Sequence, residues 1–199
     1  MGKKMIPPNV PQAARAWVIS QLIEQGLWRD DKVTRMCVVG VRSYYTNTMG
    51  KRGVNDRGIY DDAIFVITPT GMTAFNGNTD PSVYRKGRAV LKAPQKVKYR
   101  KGWHGYRSKR GHKAFRQASN VIVKRDGGVG NGKSLGGGYY TDKGAHRFWI
   151  NLHRGGWTTT SSAGCQTVPP SQWGAFYSLV CLEMDRYKQS SFNYYLINR

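Results

Sequence analysis

Two short stretches of the chain carry residues that could do chemistry. His153 closes the apolar run Ile150-Asn-Leu-His153, the polar loop Arg154-Gly-Gly-Trp157 follows, and Cys165 stands in the small-residue frame Ser161-Ser-Ala-Gly-Cys165. A thiol attacks carbonyl carbon as thiolate, and an adjacent imidazole lowers a cysteine pKa from about 8.5 into the range of roughly 3.5–7.5. His153 and Cys165 are therefore the candidate base and nucleophile. A strand ending at His153, a loop and a return strand near Cys165 would bring the two side chains together. Gly164 would let a substrate carbonyl approach the backbone, and the N–H groups of Gly164 and Cys165 form a candidate oxyanion hole, worth a few kcal/mol in the transition state. Thr160, Ser161 and Ser162 are candidates for orienting the imidazole or the substrate. Cys37 and Cys181 lie among apolar residues and read as packing thiols.

Other polar groups are weaker candidates. His104, His112 and His146 are scattered without metal-ligand spacing, so no metal and no cofactor is expected. Gly130-Asn-Gly-Lys-Ser134 lacks the glycine spacing of a phosphate loop. Asp61 and Asp62, with Glu183 far away, make a poor glycosidase pair, because adjacent residues on a strand point to opposite faces. Arg154, Tyr139, Tyr140 and Trp157 are candidates for lining a substrate groove.

The elements that must position these residues follow from periodicity and turn chemistry. A helix is predicted from about Ala14, with Val18, Leu22, Trp17, Ile23 and Leu27 at three-to-four spacing, ending at Gly26. Strands are predicted at 33–41, 61–68, 88–92, 97–100, 121–125, 148–153 and 192–197. Loops are expected at 46–58, at 75–82 and at the glycine-rich 127–138. A second helix opens at Pro170 and runs to about Tyr187. The sum is a mainly β, α+β chain, read as one domain over 1–199 with an N-terminal helical extension at 1–30 and a basic segment at 83–126.

Composition supports a globular chain with an anionic partner. Hydrophobic residues make up 39% of the 199, and the net charge is +21, which directs the molecule toward nucleic acid, lipid headgroups or a charged envelope. Between Asp80 and Asp126 there is no carboxylate, while the interval from Arg85 to Arg125 carries nearly half of the 32 lysines and arginines, interleaved with Tyr99, Trp103, Tyr106 and Phe115. That mixture also suits stacking on bases, so a nucleic-acid-binding module is a second reading. An odd number of widely spaced cysteines fits a reduced compartment, and the opening residues lack an apolar leader core.

The segments around His153 and Cys165 resemble the signature of the L,D-transpeptidase catalytic-domain family: a histidine followed by glycine, a loop, then Ser-His-Gly-Cys and a polar residue two positions on. His153 and Gly155 match the first half, and Ser162, Gly164 and Cys165 the second; Ala163 replaces the second histidine, and Thr167 stands where Arg or Asn is usual. With Asn55-Asp-Arg-Gly-Ile-Tyr-Asp-Asp62 upstream, the wording is more similar to phage endolysin-type members. The resemblance implies a β-sandwich or barrel core with an N-terminal helix and a helix after the cysteine. It implies Cys165 attacking a stem-peptide carbonyl of bacterial peptidoglycan while His153 shuttles protons, and Thr167 and Ser162 touching the acyl donor. The expectation is a monomeric wall peptidase held on the anionic envelope by Arg85–Arg125, with no obligate nucleic acid. It would be made in the host cytoplasm and act in the periplasm once the inner membrane is opened. A biosynthetic L,D-transpeptidase or carboxypeptidase is the alternative within the family.

Overall fold

The computed structural model describes residues 4–105, 108–109, 111–130, 133–134, 138–142 and 149–199, without the side chains of 129, 130, 133, 134, 140 and 142. In chain order the elements are α1 (Arg15–Glu24), β1 (Cys37–Arg42), β2 (Asp62–Thr68), β3 (Gly71–Gly77), β4 (Ala89–Leu91), β5 (Gln95–His104), β6 (His112–Gln117) and β7 (Val121–Arg125). There follow β8 (Val129–Gly130), β9 (Lys133–Ser134), β10 (Tyr140–Asp142), β11 (Leu152–Arg154), β12 (Gln166–Val168), α2 (Pro170–Arg186) and β13 (Phe192–Asn198).

Eight strands form one sheet in the order β12-β11-β6-β5-β13-β1-β2-β3. Its two ends meet: Asn78, just past β3, and Thr167 in β12 exchange both backbone hydrogen bonds at 2.9 Å. The sheet is thus a nearly closed barrel, and the fold is mainly β with two helices. β4 and β10 flank β7 in a smaller sheet, and β8 pairs with β9.

Burial explains which strands were legible. β1 from Cys37 to Val41 and β2 from Ala63 to Ile67 are apolar runs because both faces are covered. Inside, Val38, Ile64, Phe75, Phe115 and Phe192 pack with Trp173, Phe176, Val180 and Met184, the three-to-four stripe of α2. Outside, Val18 and Leu22 of α1 cover Val39, Val41, Phe65, Tyr195 and Ile197. The N-terminal helix is therefore seated on the barrel wall. It ends as expected at Gly26 (φ 71°), whose N–H bonds Ile23 O while that of Leu27 bonds Leu22 O, a Schellman closure.

Several expectations are corrected. Residues 75–82 are not all turn, since Phe75, Asn76 and Gly77 complete β3 in register with Ile64, Ala63 and Asp62; the exposed edge of β2 demands a partner whatever the local turn propensity. The predicted strand at 33–41 starts only at Cys37, that at 97–100 extends over Gln95–His104, and that at 148–153 shortens to Leu152–Arg154, with Phe148 outside the described residues. β6 had no sequence signal, because its basic and aromatic residues mask the alternation. The glycine-rich 127–138 holds the β8–β9 pair, and its remainder at 131–132 and 135–137 lies outside the described residues. Among the described residues no helix is long and apolar enough to cross a membrane.

A buried acidic corner braces the barrel. Asp62 accepts from the Ser43 N–H at 2.7 Å, the Thr79 N–H at 2.6 Å and the Thr79 hydroxyl at 2.7 Å. Asp61 accepts from the Asp56 N–H at 2.8 Å, and its second oxygen is buried without a partner. Burial, then the charge of Asp62, pushes Asp61 up to about 8, and burial raises Asp62 as well. A carboxyl whose folded pKa is raised stabilises the fold fully below its unfolded value of about 3.9 and loses that contribution as pH climbs through the folded value. Thermal stability is accordingly expected to fall between pH 5 and pH 8.5, by on the order of 1–3 kcal/mol. Asp61→Asn, which keeps an acceptor for the Asp56 N–H, should flatten the decline; a variant with the same pH slope as the native protein would assign the effect elsewhere.

Candidate functional site

Strand register gathers the candidate residues. β11 and β12 are parallel neighbours, with Leu152 opposite Gln166 and His153 opposite Thr167. Leu152 also faces Phe115 of β6, and both point into the core. Alternation therefore turns His153 to the outer face, as it does Cys165 beside inward-pointing Gln166. Gln166 is locked inside by the Tyr194 hydroxyl at 2.9 Å. On β6 the same alternation puts His112 outside, and the β5–β6 register places His104 directly across from it.

Three imidazoles consequently share one spot. His104 stacks on His153 with centroids 3.8 Å apart at 13°, and His112 lies 5.5 Å from each. One donor atom from each of His104, His153 and Cys165 falls within 4.8 Å of the other two. The expected His153–Cys165 juxtaposition is present, and the expectation that His104 and His112 are scattered is corrected. His146 lies outside the described residues.

Hydrogen bonds define the proton positions. His153 Nδ1 donates to Arg154 O at 2.7 Å, so Nε2 carries the lone pair; that atom is buried and unpartnered. Burial, then the neighbouring His104, drives the His153 pKa down to about 3, and the ring is neutral. Cys165, only 4% exposed, accepts the Asn151 N–H at 3.4 Å and donates to Trp149 O at 3.3 Å. Burial pushes the thiol up to about 11 against the opposing pull of the Asn151 N–H. The expected thiolate–imidazolium pair is thus replaced by a neutral thiol and a neutral imidazole, because the dry surroundings penalise both charges. Burial, then His112, also lowers His104.

Asn151 ties the group together, a role with no sequence signal. Besides holding the sulfur, its carbonyl accepts from Gln166 N–H at 2.8 Å, its side-chain oxygen accepts from Gln117 N–H at 3.3 Å, and its amide nitrogen lies 3.2 Å from His104 Nδ1. His104 and His112 had one usable signal: they flank the glycine-bounded loop Gly105–Gly111 symmetrically, as cross-strand partners in a hairpin must.

The turn before Cys165 is self-contained. Ser162 Oγ donates to Cys165 O at 2.7 Å and accepts the Gly164 N–H at 2.9 Å, while the Ser162 N–H bonds Ser82 Oγ at 2.7 Å. Two expectations change: the Gly164 N–H is spent inside the turn and is not free as an oxyanion donor, and the Ser162 hydroxyl is taken up by the backbone of Cys165 and Gly164 instead of facing a cleft. Gly164 is required for another reason. Its φ is 141°, and a Cβ there would stand 2.5 Å from Ala89 O on β4. Gly164→Ala is expected to cost on the order of 2–4 kcal/mol, read as a lower melting midpoint; an unchanged midpoint would show that β4 yields freely.

A cleft of about 590 Å³ opens on the imidazoles, lined among others by Ser108, Arg154, Gly155, Trp157, Ser161 and Pro170. Arg154 is exposed and Trp157 is 67% exposed, so both are available to a ligand. Gly155 is confined: a Cβ would meet the Tyr60 hydroxyl at 2.1 Å, the group that donates to Gly156 O at 2.7 Å. Thr167, expected to touch the acyl donor, is fully buried on β12, in register with His153. Tyr140 contributes backbone to β10 opposite Val123, and its side chain lies outside the described set. Thr160, also buried, hydrogen-bonds Ser82 at 2.7 Å.

Much of the basic segment is the barrel's outer wall. Lys96, Lys98 and Arg100 alternate outward from β5, and Arg100 pairs in register with Arg116. Arg116 sits 4.8 Å over the Trp149 ring, and Arg100, Gln117 and Trp149 border a second cleft of about 290 Å³. Trp149, whose carbonyl accepts the thiol's hydrogen bond, thus also borders this second cleft. Comparison of the chain with protein-family models, curated proteins and solved structures finds no match.

Proposed function

We propose that this protein is a cysteine peptidase of the bacterial cell wall, acting on peptidoglycan stem peptides or cross-links in the manner of an endolysin, with Cys165 as nucleophile and His153 as base. The single observation that carries the reading is the buried, unpartnered Nε2 of His153 beside the Cys165 thiol, in a ring oriented by its own Nδ1–H bond to Arg154 O.

The chemistry is that of a neutral pair. As sulfur bonds to the substrate carbonyl carbon, the thiol proton passes to Nε2 and the carbonyl oxygen takes the negative charge, so charge separates only once attack begins and the resting site pays no cost for an ion pair. Collapse of the tetrahedral adduct breaks the C–N bond, the imidazolium gives its proton to the departing amine, and a thioester remains. Water then attacks the thioester, His153 takes its proton, the C–S bond breaks and the thiol re-forms. Arg154, Ser161 and Trp157 are placed to hold the peptide in the larger cleft. Arg100 and Arg116, beside Trp149 at the second cleft, suit the carboxylates of stem peptides, and the charge of +21 favours an anionic envelope.

Mass spectrometry of purified peptidoglycan digested in the presence of a chelator tests the reading. Fragments heavier by one water per cleaved peptide bond are expected. New cross-links instead would assign a transpeptidase, and an unchanged profile would overturn both.

A further inference from the structure

The same cluster has the donor set of a metal site. We propose that His104, His153 and Cys165 bind a zinc-class divalent ion, and that the bound ion switches the enzyme off by occupying its nucleophile and its base.

The inhibitory half rests on the peptidase reading above; the binding half does not. Geometry comes first. Zinc bonds of about 2.1 Å to nitrogen and about 2.3 Å to sulfur space tetrahedral donors roughly 3.4–3.8 Å apart. The three donor atoms here lie within 4.8 Å of one another, so closing the set takes a shift of about 1 Å and a splaying of the stacked His104 and His153 rings, whose lone pairs lie in nearly parallel planes. His153 is prepared in the way metal-ligating histidines usually are: one ring nitrogen donates to a backbone carbonyl and the other offers a fixed lone pair. That lone pair is buried with no hydrogen-bond partner, an arrangement that a metal ion relieves. His104 is stacked on the same ring and half-buried. The cleft lined by His104, His112 and His153 leaves the fourth position open to water.

Donor chemistry selects the ion. One thiolate and two imidazoles favour zinc, cobalt or copper over magnesium or calcium, which take oxygen ligands. Binding replaces the S–H bond with an S–metal bond and releases one proton to solvent. The hydrogen bond to Trp149 O is lost in the exchange, while that from Asn151 N–H remains available to the coordinated sulfur.

The test uses the full chain, first freed of metal by chelation. Cobalt(II) added to it is expected to give an intense thiolate-to-cobalt charge-transfer band at one equivalent. The band should survive Cys181→Ala, vanish in Cys165→Ala and weaken in His104→Ala, with near-ultraviolet circular dichroism confirming that each variant is folded. Absence of the band in the native chain, or its persistence in folded Cys165→Ala, overturns the site. In parallel, wall digestion should fall by at least about tenfold at one equivalent of zinc and recover on adding chelator, with magnesium inert. A band without zinc inhibition overturns the switch and leaves the site. Digestion absent even in chelator defeats the peptidase reading and with it the switch, while the band alone upholds binding.

Discussion

Cys165→Ser is expected to lower release of stem-peptide fragments from purified peptidoglycan by at least about 10³-fold while leaving the melting midpoint within a few degrees of the native value. A serine hydroxyl can still donate to Trp149 O and accept from the Asn151 N–H, the two bonds that the thiol makes. What it lacks is sulfur's nucleophilicity and the lower pKa of its proton: a hydroxyl is far less acidic than even this raised thiol, so proton transfer to His153 becomes much harder. Cys165→Ala should be equally inactive but less stable, by about 1–3 kcal/mol, because both backbone groups then lose their partner inside the protein. Fragment release by mass spectrometry and thermal melts together separate lost chemistry from lost structure. Substantial release by either folded variant would remove Cys165 as the nucleophile.

His153→Asn should reduce the same release by about 10²–10⁴-fold, the usual worth of a positioned general base. Asparagine suits the test because its amide can donate to Arg154 O as Nδ1 does, preserving the local backbone while deleting the lone pair at Nε2. On the peptidase reading the loss should fall on kcat, since the imidazole would act in proton transfer and not in binding the peptide. Arg154 and Trp157 line the cleft instead, and they would move KM. A His153→Asn enzyme with native kcat would leave the thiol without its base and defeat the neutral-pair mechanism.

Legibility of the fold followed burial. β1, β2, β13 and both helices could be read because each carries an apolar run or a three-to-four stripe, and the helix stop at Gly26 and the start at Pro170 are local backbone chemistry. β3 and β6 could not, because their strand character comes from neighbours. β3 completes the free edge of β2, and β6 bridges β5 and β11 through a strand whose short apolar pair, Ala114 and Phe115, sits between Lys113 and Arg116.

The site divides along the same line. Residue type and local frame by themselves determined the pair His153 and Cys165, the small-residue turn before the cysteine, and the positive charge of the surrounding wall, since each is a property of a few consecutive residues. Tertiary structure alone decided that His104 and His112 join them, that Asn151 holds the sulfur, and that the Gly164 N–H is already used by Ser162. It also decided the state of the pair. A histidine next to a cysteine suggests an ion pair when only types and spacing are considered, but the pKa of each group is set by how much water reaches it. The packing around them leaves His153 and Cys165 only 2% and 4% exposed, so thiol and imidazole are both uncharged.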